Sequence, residues 1–329
     1  MSVAQIAAGR SPRVATQAAR RDWMFRVALG IFGIVAALAL LGPWIAPYDP
    51  TELYVGDVNG VASLAHPFGT DDVGRDILSR VLAGARSSVA APILIVLLST
   101  LAGAALAILA AWFGGAVRGT IARLVDVIFA IPGLVLAVLA VAMFGKGLVA
   151  PVIALSIAYI PVVARLTQTA AARELNTPYI AALRVQGVSS LAICFRHLVP
   201  SLIPVVAAQM AVGFGYAMLD LAAISFLGLG EQPPNADWGS MIASGQAGIL
   251  AGAPEQSVFP AIFVVLTVLS VSTTKIASPS GQRRRIDDRT AARGGAETAP
   301  RTRSGTGSPF DRDPRPHARA RLHALGRGG

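Results

Sequence analysis

An all-α protein that crosses a membrane about six times is the fold class this sequence predicts. Three observations predict it. Charged residues make up 14% of the chain and hydrophobic residues 54%, where a soluble domain carries ~25% charge. Six long apolar runs take up more than a third of the 329 residues. Most of them approach the ~20 residues with which a helix crosses a hydrocarbon core of ~30 Å. Inside lipid a backbone must satisfy its own hydrogen bonds, so such runs are helices. Helices buried in a large soluble protein do not fit, because too little polar sequence remains to cover such a core.

The runs lie at residues 27–46, 89–113, 124–144, 148–164, 202–227 and 258–271. The first is too long for the apolar part of a secretory signal, and no small-x-small cleavage site follows it. The third is interrupted by Pro132-Gly133 and the fourth by Pro161, which predicts kinks and carbonyls freed toward a cavity or a neighbouring helix. The sixth is the shortest, and Ser272, Thr273, Thr274 and Lys275 follow it. The predicted organisation is therefore an N-terminal segment (1–26), a first span with a long loop (27–88), a core of five helices (89–275) and a tail (276–329).

Charge sets the orientation, because cytoplasmic loops are enriched in Lys and Arg. With the N-terminus in the cytoplasm, Arg10, Arg13, Arg20, Arg21 and Arg26 fall inside. So do Arg118 and Arg123, and then Arg165, Arg173, Arg184 and Arg196. Arg75, Arg80, Arg86 and Lys146 fall outside, but the outer loops carry the acids: Asp49, Glu52, Asp57, Asp71, Asp72 and Asp76 in the first, and Glu231, Asp237 and Glu255 in the last.

Catalytic chemistry is not visible. The single Cys, Cys194, excludes an intramolecular disulfide and a cysteine metal cluster, and reads as a small buried residue. The four His residues are scattered at 66, 197, 317 and 323. No phosphate-binding G-x-x-x-x-G-K-[ST], zinc-binding H-E-x-x-H or nucleophile-bearing G-x-S-x-G occurs. No enzyme activity, cofactor or metal is expected, and energy for any active transport must come from another polypeptide.

The segment 165–200 is the largest cytoplasmic excursion between spans. Pro178 and Pro200 bound its core, Tyr179 to Val185 has helical pattern, and Gly187 stands where a helix ends. Ala181 and Ala182 would let a partner's backbone approach, with Arg173, Arg184 and Arg196 at the rim. By its residues alone this loop fits either a docking helix or an amphipathic segment held by lipid headgroups.

Its frame resembles the coupling loop of permease subunits in binding-protein-dependent ABC importers, which reads E-A-A, three residues, G, nine residues, I-x-L-P. Here Ala181, Ala182 and Leu183 stand at the first three positions, and Gly187 and Pro200 keep the spacing. His197 and Val199 depart from the pattern, and Ala181 replaces the Glu. The stretch HPFGTDDVGRDILSRVLAGARSSV (His66 to Val89) resembles the segment before the second helix in the dipeptide, oligopeptide and nickel branch. ISFLGLGEQPPNADWGSMI (Ile224 to Ile242) resembles that branch's last outer loop. The residues alone also allow plainer readings: Asp71, Asp72 and Asp76 could hold a cation, though Arg75 and Arg80 interleave and would pair with them. Trp238 with Pro233-Pro234 could simply stiffen an interfacial loop.

The resemblance spans about residues 23–271 and points to the second permease subunit, the one with an N-terminal extension. It implies a type I ABC importer transmembrane domain in the cell membrane, carrying di- or oligopeptides. It also implies a second permease, two cytoplasmic ATPase subunits and an extracytoplasmic binding protein as partners, and no nucleic acid. Arg173, Glu174, Ala181, Ala182, Arg184, Gly187, Arg196 and Pro200 would form the ATPase-coupling loop. The same architecture can import nickel chelates or opines.

Ionisable residues inside spans are functional candidates. Asp126 is expected to pair with Arg123 one turn earlier. Asp220 has no local basic partner, and fits either the translocation path or a subunit interface; Pro132 is the other path candidate. An ion-coupled carrier working alone is the rival reading, resting on these two acids. The tail holds twelve Arg against five acids after residue 278, without periodicity, which reads as disorder. It fits a lipid-facing arm, a nucleic-acid-binding arm, or translation in a shifted frame. The shifted frame is preferred, because the family's usual short charged ending is lost after Leu269.

Overall fold

The computed structural model describes residues 12–277. The basic tail from residue 278, with its expected disorder and shifted frame, lies outside the described residues. The described chain is helical, with an isolated bridge between Thr70 and Asp76. Its helices are α1 (Pro12–Ile45), α2 (Ile77–Phe113), α3 (Gly115–Phe129), α4 (Gly133–Phe144), α5 (Val149–Leu175), α6 (Pro178–Val185), α7 (Ser190–Ile193), α8 (Val199–Phe226), α9 (Trp238–Ser244), α10 (Gln246–Leu250) and α11 (Glu255–Ala277). A π-helical turn, Cys194–Leu198, joins α7 to α8.

Five stretches, containing α1, α2, α5, α8 and α11, are each long and apolar enough to cross a membrane. The pair α3 and α4 is bent by 75° at a short break. Pro132 causes the break, since it has no N–H to donate and forces the preceding residue out of helical conformation. It then serves as the N-cap of α4.

Contacts at the helix ends show that this bent pair makes one crossing. The Gly147 amide donates to the Leu229 carbonyl at 3.4 Å, so the end of α4 lies beside the loop after α8. Trp112, at the end of α2 just before the pair, packs instead on the cluster of Cys194, Leu198 and Leu202. Arg80 donates to both the Pro50 and the Pro234 carbonyls, so the loops 46–76 and 227–254 lie at the same end of the bundle, which requires an even number of crossings between them. The bent pair supplies the fourth, beside α2, α5 and α8, which makes six crossings among the described residues.

Several boundaries differ from the expected runs. Helix α2 starts at Ile77 rather than 89, because Asp76 caps it by accepting the Ser79 amide at 2.7 Å, satisfying an orphan N–H of the first turn. Helix α1 begins at Pro12, so much of the 1–26 segment continues the first span. Helix α5 runs on to Leu175 because Thr167 and Ala171 remain buried. Arg173 and Glu174 therefore belong to its last turn and not to the short helix. At the other end, Ser272 and Thr273 turn their hydroxyls back to the Val268 and Leu269 carbonyls. That lets polar residues extend α11 to Ala277.

Helix α2 is the hub and packs on α1, α5 and α8. A Cβ at Gly103 would stand 2.9 Å from the Ile160 carbonyl of α5, so glycine is what permits this approach. Small residues are the usual means of close helix packing in lipid, where apolar burial drives little association. The main core gathers Val89, Ile95, Leu155, Phe214, Met218 and Trp238.

Candidate functional site

Three features stand out: a clasp on the face of the two long loops, a short helix on the opposite face, and a carboxylate within the spans. The clasp is built by the His66–Val89 stretch. Asp71 is fully buried and accepts from Arg75 Nε at 2.6 Å and from the Val73 and Arg75 amides. Arg80, 4% exposed, places its Nε 3.4 Å from the same carboxylate. Its Nη1 donates to the Pro50 carbonyl at 2.9 Å and the Pro234 carbonyl at 3.3 Å. His66 Nδ1 lies 3.0 Å from Asp76 Oδ1, and Gln256 exchanges two hydrogen bonds with Asp72. The acids are thus engaged by Arg75, Arg80, His66 and Gln256, in the pairing that the interleaved arginines suggest.

On the opposite face, α6 is a two-turn helix. Pro178 sits at its first position, where a missing N–H is harmless. Its C-terminus is a Schellman motif: the Gly187 amide donates to Arg184 and the Val188 amide to Leu183, both at 3.1 Å. Gly187 has φ +76°, the left-handed conformation that side chains disfavour. Ile180 is fully buried beneath the helix, while Ala181, Ala182, Arg184 and Gly187 are exposed. Val185 is 89% exposed and Phe195 70%. Arg196 and Pro200 are exposed on the π-turn and the first turn of α8.

The π-turn packs Cys194 and Leu198 against Trp112 of α2 and Ala171 of α5. Glu174 accepts the Tyr179 hydroxyl, tying α6 to the end of α5. That bond, with a smaller contribution from burial, pushes the Tyr179 phenol up to about 12, so Tyr179 stays a donor at neutral pH. Arg173, Glu174, Ala181, Ala182, Arg184, Gly187, Arg196 and Pro200 are thereby gathered onto adjoining elements at one end of the bundle. Sequence spacing alone did not reveal the Glu174–Tyr179 tie.

Within the spans, Asp220 Oδ2 accepts the Tyr159 hydroxyl of α5 at 2.8 Å. Nothing in the sequence marked Tyr159, which lies 61 positions away. Pro132 is exposed at the α3–α4 break, and Asp220 is bonded to α5 rather than to anything there. The expected Asp126–Arg123 pair is replaced by Asp126 with Arg165 of α5, at 2.6 Å. Arg165 also lies over the Phe129 ring, 4.4 Å from its centroid. An arginine on the neighbouring helix makes the ion pair and the stacked contact together.

Residues 103–277 match a family model described as the binding-protein-dependent transport system inner membrane component. Residues 13–67 match the N-terminal transmembrane domain of oligopeptide transport permease C. The chain is 37% identical over 248 residues to the glutathione transport system permease protein GsiD of Pectobacterium atrosepticum, covering 74% of this chain and 81% of that protein. It is 37% identical over 247 residues to the di/tripeptide transport system permease protein DppC of Pseudomonas aeruginosa, covering 73% and 80%. The dipeptide transport system permease protein DppC of Haemophilus influenzae is 35% identical over 248 residues, covering 72% and 82%.

Proposed function

This chain belongs to the family of binding-protein-dependent transport system inner membrane components, and we propose that it is the permease subunit through which an ATP-driven importer passes di- and tripeptides. It is a multi-pass membrane protein and a transport component, not an enzyme, and it works with an ATPase and a substrate-binding protein. The finer composition we propose is one further permease, two ATPase subunits and one extracytoplasmic binding protein. The N-terminus and α6 lie in the cytoplasm, and the clasp faces outward.

The observation that carries this reading is the exposed short helix. A two-turn helix showing Val185, Ala181 and Ala182 to water is poorly explained as packing within this chain. It is well explained as a surface on which another subunit sits. Its Schellman end, the Glu174–Tyr179 bond to α5 and the approach of the Tyr179 ring to His197 of the π-turn, 6.2 Å between centroids, make it stiff. An ATPase that moves α6 would therefore move α5 and α8 with it, rocking the spans between inward-open and outward-open states. The peptide substrate is supported by the glutathione and di/tripeptide systems in which the similar proteins work. Reconstitution tests it: the assembled system in liposomes should import trialanine only with ATP inside the ATPase compartment and binding protein on the opposite side. ATP-driven import of a nickel chelate but no peptide would overturn the substrate assignment.

A further inference from the structure

Asp220 occupies an unusual place. It lies six residues before Phe226, the last residue of α8, or roughly 9 Å inside the outer end of that helix at ~1.5 Å per residue. Among the described residues it makes no ion pair. Its recorded hydrogen bond is from the neutral Tyr159 hydroxyl, to Oδ2. A carboxylate offers about four acceptor positions, so most of its capacity is unused.

One flank of Asp220 on α8 is open. Asp220 is itself half-buried and sits at the border of that side: Tyr216, one turn earlier, is 61% exposed and Leu227 58%, while Ala217 and Ile224, also one turn away, are buried. A carboxylate on a lipid-facing surface would be costly, and such groups face a watery path or another protein instead. Tyr159 is a donor to Asp220, so it orients the carboxylate without neutralising it. Tyr216 adds an aromatic face of the kind that attracts alkylammonium groups.

We infer that Asp220, oriented by Tyr159 and flanked by Tyr216, is a docking point for the ammonium group of the passing substrate. For a peptide this is the free α-amino group. The inference rests on the peptide reading above and adds the group recognised. An ammonium carries three donors and a positive charge, which complement the open carboxylate positions. The site lies in the outer half of the spans, where a substrate released outside arrives first.

The test uses the complete transporter in proteoliposomes, with trialanine as the probe. Asp220→Asn should slow trialanine uptake by about tenfold or more, the scale of a lost hydrogen bond to a charge. Asp220→Glu should recover most of the rate, and Tyr159→Phe should fall between. Competition by N-acetyl-trialanine should be weak against wild type and relatively stronger against Asp220→Asn, after correction for its measured binding-protein affinity. Unchanged trialanine uptake by Asp220→Asn overturns the inference. So does loss of the second permease on purification of Asp220→Asn, which would mean that Asp220 pairs with that subunit.

Labelling separates this failure from failure of the underlying reading. Tyr216→Cys in a Cys194→Ala background should react with a cationic methanethiosulfonate, and trialanine should protect it. Protection combined with normal uptake by Asp220→Asn would leave the peptide path standing and remove the ammonium site. No trialanine uptake by wild type would remove both.

Discussion

Trp238 Nε1 donates to the Val81 carbonyl at 2.9 Å, across 157 residues of sequence. The Trp238 amide also donates to Ser88 Oγ at 2.9 Å, and that hydroxyl donates to Asp237 Oδ1 at 2.8 Å. Two stretches that read in the sequence as separate outer motifs are therefore one structure. The last outer loop is bolted to the first two turns and beyond of α2, and Arg80 adds the Pro234 carbonyl to the same joint.

Removing that bolt should destabilise the protein. Trp238 is 1% exposed, and truncating a buried Trp costs about 3–5 kcal/mol. Trp238→Ala should lower the unfolding temperature in detergent markedly. Trp238→Phe, which loses the indole hydrogen bond but keeps most of the packing, should lose about 1–2 kcal/mol. Wild-type stability of Trp238→Phe would contradict the role given to the Val81 bond.

The buried charges of the clasp make a second prediction. Asp71→Ala leaves Arg80 and Arg75 without their shared carboxylate, and breaking a buried pair from one side costs about 3–5 kcal/mol. Loop 46–76 should become sensitive to protease added from outside. Asp71→Ala combined with Arg80→Met should restore part of the resistance, because the more deeply buried arginine is then gone and Arg75 keeps Asp72 at 3.8 Å. A double variant worse than the sum of the single ones would count against this account.

Gly187 tests the short helix. No atom lies within 4 Å of where its Cβ would stand, so a side chain there meets nothing within this chain. Its φ of +76° is tolerated by Asn better than by other side chains. Gly187→Asn should keep ATP-coupled uptake near the wild-type rate. Gly187→Trp should fold and insert, retain ATP hydrolysis by the assembled complex, and lose most uptake. Normal uptake by Gly187→Trp would mean that nothing docks there.

The Asp126–Arg165 pair separates the ATP-driven reading from an ion-coupled carrier. Both side chains are roughly half exposed or more, at 64% and 48%. Where water reaches it, such a pair is worth about 0–1 kcal/mol. Asp126→Asn should therefore change stability little, and uptake should survive a protonophore when ATP is held constant. Collapse of uptake on dissipating the proton gradient, with ATP present, would favour the carrier.

Much of this fold is legible in the sequence because lipid imposes a one-dimensional rule. A span must be long, apolar and helical, and the runs from 27 to 271 announce themselves on that ground. Pro132 likewise announces its own break. Helix ends were harder, because capping by Asp76 and back-bonding by Ser272 extend helices into polar sequence. Partners distant in sequence were not legible at all. Asp126 takes Arg165 rather than Arg123, and Asp220 takes Tyr159, because helix packing and not spacing brings them together. For the candidate site, the Pro178, Gly187 and Pro200 frame marked the loop. Its outward apolar residues, Val185 and Phe195, emerged only once burial was known.

The central claim is that an ATPase subunit grips α6 from the cytoplasm. The most direct measurement places a cysteine at Val185 in a Cys194→Ser chain and crosslinks it in intact membranes with a short bifunctional maleimide. An adduct between this chain and an ATPase subunit, lost when the ATPase genes are deleted, is the predicted result. Labelling of Val185→Cys by a membrane-impermeant maleimide added outside intact cells, with no ATPase adduct, would contradict it.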